Sequence, residues 1–146
     1  MEIFSNGWYF SFDKRITEAY YNSLDDYLCG CATCRNFYSN TSQIPADLLV
    51  FLEQFGINPA KPIELWPRME SVNKKDMLVD NIACYAVNGD ATSSKRHEID
   101  FGAASVAVDF PKPTDPILHP EFPEPFFIFT VTNLWLPWTV SDDIEE

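Results

Sequence analysis

"FFIFTVT", residues 126–132, is built from aromatic and β-branched residues and contains no turn former. A strand with one wet face alternates apolar and polar positions. Phe126, Phe127, Ile128 and Phe129 instead place apolar side chains at both parities. That pattern predicts a strand covered on both faces, and therefore one near the centre of a sheet. Downstream, residues 134–140 read as a last short strand, and the acidic tail SDDIEE, residues 141–146, reads as frayed. Upstream, Pro111, Pro113, Pro116, Pro120, Pro123 and Pro125 cannot donate to a ladder and predict an extended loop. The Pro113–Pro116 and Pro120–Pro123 spacings fit P-x-x-P, which inside a folded domain is more often a rigid connection than a ligand.

Further strands are expected over 63–66, 81–87 and 101–110, the last with Val106, Val108 and Phe110 on one face. Asn88-Gly89-Asp90 reads as a turn closing the second of these, and the polar segment to residue 98 as the link of a long hairpin to the third. Near the start, Trp8-Tyr9-Phe10-Ser11-Phe12 reads as a strand with Trp8, Phe10 and Phe12 on one face. Residues 16–28 are ambiguous: Ile16, Tyr20, Leu24 and Tyr27 lie near helical spacing, but Asp25-Asp26 interrupts them.

The clearest helix lies in "IPADLLVFLEQFGINPAKP", residues 44–62. Pro45 suits a first helical position, and Asp47 suits the positive end of the helix dipole. Leu48, Phe51, Leu52 and Phe55 recur at i, i+3, i+4 and i+7, which predicts a buried face. Gly56 can take the left-handed C′ conformation, Ile57 can pack back as its apolar partner, and Pro59 stops continuation. A shorter helix is expected over 33–40, with Thr33 as N-cap. The expected architecture is one α+β domain over residues 1–140, a helical N-terminal half packed on a mostly antiparallel sheet.

Twenty-two acidic residues against ten basic ones give the 146-residue chain a net charge of −12. Such a surface repels nucleic-acid phosphates and anionic membrane, and it fits a basic protein as partner or none at all. Residues 1–6 show no basic or apolar signal region, and no run of about 18 apolar residues occurs, so a cytoplasmic protein without a membrane span is expected. Thiols there stay reduced.

Three of the four cysteines, Cys29, Cys31 and Cys34, fall within six residues. As zinc ligands they need a fourth, from Cys84, His97 or His119, and zinc sites more often use two separated pairs. As a redox pair, Cys31 and Cys34 form C-x-x-C at a helix start, where the dipole and Arg35 favour thiolate, but no buried strand precedes them. The reading preferred here is that they are small residues packing a tight turn, with no metal or other cofactor bound and with Cys31 and Cys34 close enough to oxidise in air. Cys84, between small apolar residues, reads as core.

No G-x-S-x-G elbow, glycine-rich phosphate loop or H-E-x-x-H is present, so no catalytic set is assigned and a non-enzymatic protein is expected. His97 in His97-Glu98 reads as a solvated edge, and His119 lies in the proline loop without an obvious partner. Trp135 and Trp138, either side of Pro137, are the candidate interaction residues, although residues so placed are more often buried in the core.

The segment Cys31-Ala-Thr-Cys34-Arg35-Asn36-Phe37, followed by the Pro45 helix and by Gly56-Ile57-Asn58-Pro59-Ala60-Lys61-Pro62, resembles a set of small bacterial proteins of unknown function. Those carry C-x-x-C-R-N-F and G-I-D-P-x-K-P in that order; Asn58 stands here for the Asp. This resemblance covers about a quarter of the chain and implies no activity. The Ile44-Pro45 opening of an apolar helix is also similar in shape to a superfamily of toxin-neutralising immunity proteins. The function expected is therefore an acidic protein-binding module, immunity-protein-like in one version, with a zinc or thiol-redox protein built on the cysteine cluster as the alternative.

Overall fold

A computed structural model of the protein describes residues 1–24, 31–68, 78–95, 97–110 and 122–139. Its strands are β1 (Glu2–Ser5), β2 (Trp8–Phe12), β3 (Glu64–Arg68), β4 (Leu78–Thr92), β5 (Ile99–Phe101), β6 (Ala104–Asp109) and β7 (Phe126–Pro137). Its α-helices are α1 (Lys14–Ser23), α2 (Ala32–Ser39) and α3 (Ala46–Gln54), with a 3-10 turn at Thr41–Gln43. The seven strands form one antiparallel sheet in the order β1-β2-β4-β7-β6-β5, with β3 also paired to β4.

The stretch apolar at both parities does form a central strand, with β4 on one side and β6 on the other. Its odd positions Phe127, Phe129 and Val131 are buried on the inner face, beside Ala83, Tyr85 and Val87 of β4. Helix α3 lies over this face. The Phe51 ring sits 5.1 Å from Phe129 and 5.0 Å from Phe101, and the Phe55 ring 4.9 Å from Phe129 and 4.6 Å from Phe12. Leu48, Phe51, Leu52 and Phe55 are all buried, as the helical spacing predicts. Pro45 is the N-cap rather than the first helical residue, and Gly56 takes φ of 88°.

The chain is α+β, but the sheet dominates and the N-terminal half is not simply helical. The hairpin β1–β2 comes first, closed by Asn6-Gly7 with φ of 49° and 83°, and it delivers Trp8, Phe10 and Phe12 to the core. Two positive φ values are what a two-residue primed turn demands, and Asn-Gly supplies them at least cost.

The expected turn at Asn88-Gly89-Asp90 is instead continuous strand. β4 runs fifteen residues, and its last part pairs with β2, Phe12 opposite Gly89. Gly89 is needed there for proximity. A Cβ at this position, where φ is 143°, would lie 2.2 Å from the Ser11 carbonyl oxygen. The expected hairpin between 81–87 and 101–110 is also absent, because β7 lies between β4 and β6, and residues 101–110 divide into β5, a turn and β6. Residues 126–137 form one strand rather than two, with a β-bulge beside Asn133, whose φ is 55°.

Residues 14–23 settle as helix, with the Asp13 carboxylate accepting from the Ile16 N–H as N-cap. The buried stripe is Thr17, Tyr20 and Tyr21, while Ile16 faces outward. This helix fills a gap in the sheet. β3 pairs with β4 up to Cys84 and β2 pairs from Gly89, so the β4 edge between them meets no strand. The Tyr21 hydroxyl donates to the Ala86 carbonyl at 2.9 Å and accepts from the Ala86 N–H at 2.9 Å. The Thr17 hydroxyl accepts from the Asn88 N–H at 3.0 Å. Two side chains of α1 thus complete the ladder where backbone cannot, leaving no buried amide unpaired at Ala86 or Asn88.

Candidate functional site

Strand register sorts the sheet into two faces. The outer face carries Glu64 and Trp66 of β3, Asp80, Ile82, Cys84 and Ala86 of β4, and Ile128, Thr130 and Thr132 of β7. Beyond the β7 bulge it carries Trp135, opposite Asp80, and β6 adds Ser105, Ala107 and Asp109. One end of this face is closed. Phe122 packs 4.4 Å from Tyr20 and 5.7 Å from Phe126, and Ala86 and Ile128 are buried. The other end is open: Trp66 is 58% exposed and Trp135 40% exposed, with half-buried Ile82 between their strands. Two large aromatic side chains exposed on one end of a sheet face mark a candidate docking surface.

By register the open end carries the charged positions Glu64, Arg68 and Asp80. Glu64 is half-buried next to Trp66, and partial burial raises its carboxyl above the usual carboxylate range. Asp109 lies towards the closed end, opposite Ile128, and accepts a 2.6 Å hydrogen bond from the Thr130 hydroxyl, which stands between it and Cys84. Register also places Asp80, buried, between Arg68 and Trp135.

Cys84 lies mid-sheet, 3.9 Å from the Thr130 hydroxyl. Burial pushes its thiol up to about 11; the Glu64 and Asp109 charges push the same way, against the Thr130 contact. It is therefore a thiol at neutral pH, with little nucleophilic or metal-binding character.

Of the clustered cysteines, Cys29 lies outside the described residues. Cys31 is exposed at the N-cap of α2, its sulfur 3.3 Å from the Thr33 hydroxyl, and Cys34 is buried in the first turn of that helix. The expected cap at Thr33 is two residues too late, since Cys31 is the N-cap and the helix begins at Ala32. α2 is anchored at the far end of β7. Asn36 donates to the Pro137 carbonyl at 3.0 Å and accepts from the Thr139 N–H at 2.8 Å, and Asn40 donates to the Thr139 hydroxyl at 2.9 Å. Cys84 belongs to the outer sheet face and His97 to the β1–β2 turn, where its ring lies against the Asn6 carbonyl and its own carbonyl accepts from the Trp8 indole at 2.8 Å. His119 lies outside the described residues. Among the described residues, no group of three or more His, Cys, Asp or Glu side chains could hold a metal ion.

A depression of about 410 Å³ opens between Met1, Phe12, Asp13, Lys14, Arg15 and Glu18. Asp13 there caps α1, and Lys14 lies 3.8 Å from Glu18. No nucleophile with an adjacent base lines it.

Trp135 is 40% exposed on this face rather than buried in the core. Trp138, half-buried, flanks it beyond the end of β7. Trp66 was missed; the signal was its place in Leu65-Trp66-Pro67, where strand alternation puts it opposite in phase to buried Leu65. Among the described residues, no helix is long and apolar enough to cross a membrane. Comparison with protein-family models, curated proteins and solved structures finds no match to this chain.

Proposed function

We propose that this protein is an acidic, non-enzymatic binding module that captures a basic protein through an exposed sheet face. The observation that carries the reading is the open end of the outer face, where Trp66 and Trp135 stand exposed on the two strands that flank β4. Aromatic side chains supply large contact area at low entropic cost and dominate interface energies. The net charge of −12 would steer a basic partner and disfavour acidic ones and nucleic acid. Neutralising a toxin is one concrete form of such capture, and a cytoplasmic setting suits it. The thiol and zinc alternative draws less support, because Cys84 is held as a thiol and sits among sheet residues apart from α2.

The test is affinity capture from native lysate, followed by binding kinetics with each recovered protein from low to high salt. Exposed charge pairs are screened beyond about 8 Å at physiological salt. Association with a basic partner should slow several-fold as salt rises; a flat profile, or recovery of acidic partners alone, would defeat the proposal.

A further inference from the structure

Resting on the binding-module reading, we infer that the open end of the outer sheet face is an arginine-receiving cleft, with Trp66 and Trp135 as its walls, Ile82 as its floor and the Glu64 carboxylate at its margin. The walls stand on the two strands that flank β4. Trp66 is opposite Ile82, and Trp135 is opposite Asp80, two residues along the same strand. With neighbouring strands about 4.8 Å apart and a rise of about 3.4 Å per residue, the two Trp backbones are about 12 Å apart. That separation admits one flat cation between two indoles and is too narrow for a helix, which needs about 10 Å for itself before the indoles are counted.

Guanidinium suits this site in three ways. It stacks on indole faces and gains from their negative π surface. Its stem can lie on Ile82, so apolar floor and charged margin are used by one side chain. Its fork matches a carboxylate, which Glu64 offers from a partly desolvated position beside Trp66. A purely apolar partner would leave the Glu64 carboxylate uncompensated, and an acidic one would meet the charge of the whole chain. A second copy of this chain carries the same negative charge and is disfavoured for the same reason.

The probe is the capped peptide Gly-Ser-Arg-Arg-Gly-Ser, beside control peptides with Leu-Leu or Glu-Glu at the centre. The readout is the indole N–H resonances of the four tryptophans in the intact protein. The arginine peptide should shift the Trp66 and Trp135 signals saturably and leave that of Trp8, which is buried, in place. The double variant Trp66→Ala/Trp135→Ala should weaken apparent affinity about ten-fold, and Glu64→Gln should weaken it less while keeping both indole shifts. Equal shifts with the Leu-Leu peptide, shifts confined to other residues, or a dimer that covers both indoles in sedimentation would each overturn the cleft. A basic protein captured with unchanged affinity by the double variant would also overturn it, while leaving the binding-module reading standing. Arginine-peptide binding together with failure to capture any basic protein would uphold the cleft and remove that reading.

Discussion

The two faces of strands β4 and β7 share one backbone and differ in almost everything else. On the inner face Tyr85, Val87, Phe127, Phe129 and Val131 are wholly buried beneath α3, with Phe rings in edge and tilted contact. On the outer face the same strands present Ile82, Cys84, Thr130, Thr132 and Trp135, covered at one end by Tyr20 and Phe122 and open at the other. The inner face holds the fold together, and its residues are bound to their neighbours by close packing. The open outer end contributes little to folding, which leaves its residue choice to other demands.

That contrast can be broken first at Phe51, whose ring meets Phe10, Phe101 and Phe129. Phe51→Ala should lower the free energy of unfolding by about 3–5 kcal/mol, measured by denaturant titration, through lost burial and a cavity. A loss below about 1 kcal/mol would mean that α3 is not seated on the inner face.

The next effect is at the sheet edge. Tyr21→Phe keeps the ring but removes the hydroxyl that serves both the Ala86 N–H and its carbonyl. Leaving buried groups unsatisfied costs about 1–3 kcal/mol, and faster amide hydrogen exchange at Ala86 should accompany it. Unchanged exchange there would show that some other group bridges the gap between β2 and β3.

Alkali should sharpen the comparison further. Burial raises Cys84 to about 11 and Tyr20 to about 12, and it raises Tyr21 and Tyr85 well above the ordinary tyrosine value. Above about pH 9 the unfolded chain releases these protons while the folded chain keeps them, so the folded state binds more protons and stability falls as pH rises. The stability these groups contribute is fully present below pH 9 and is lost progressively up to their folded values. Denaturant midpoints should therefore decline between pH 9 and 11, and Cys84→Ser should flatten the first part of that decline.

The smallest effect belongs to the open end. Trp66→Ala or Trp135→Ala should change stability by only about 0.5 kcal/mol, as expected for exposed positions, measured by the same denaturant titration. A loss approaching that of Phe51→Ala would place these rings in the core and remove the candidate surface.

Local pattern was enough to identify some of these elements. Residues 126–129, apolar at both parities, marked β7 as central, and the i, i+3, i+4, i+7 run from Leu48 to Phe55 marked α3 and its buried face. Both depend on periods fixed by backbone geometry, 2 for a strand and 3.6 for a helix. Asn6-Gly7 carries hairpin-turn chemistry that the sequence reading did not use, and β1 was missed with it.

Pairing partners are another matter, because nothing in a strand's period says which strand will lie beside it. Asn88-Gly89-Asp90 carries turn chemistry, yet tertiary pairing with β2 makes it strand, with Gly89 retained for the close approach of Ser11. Tyr21 and Thr17 looked like members of an indistinct helix until the edge of β4 gave their hydroxyls a task. Trp66 and Trp135 lie 69 residues apart in sequence, and only the antiparallel register through β4 puts them on one face. The sequence by itself determined composition, charge, the helix periods and the central strand, because those follow from neighbours a few residues away. The tertiary structure alone decided strand order, the helix-filled edge and the exposed aromatic face, because each depends on contacts between segments whose separation local preference cannot encode.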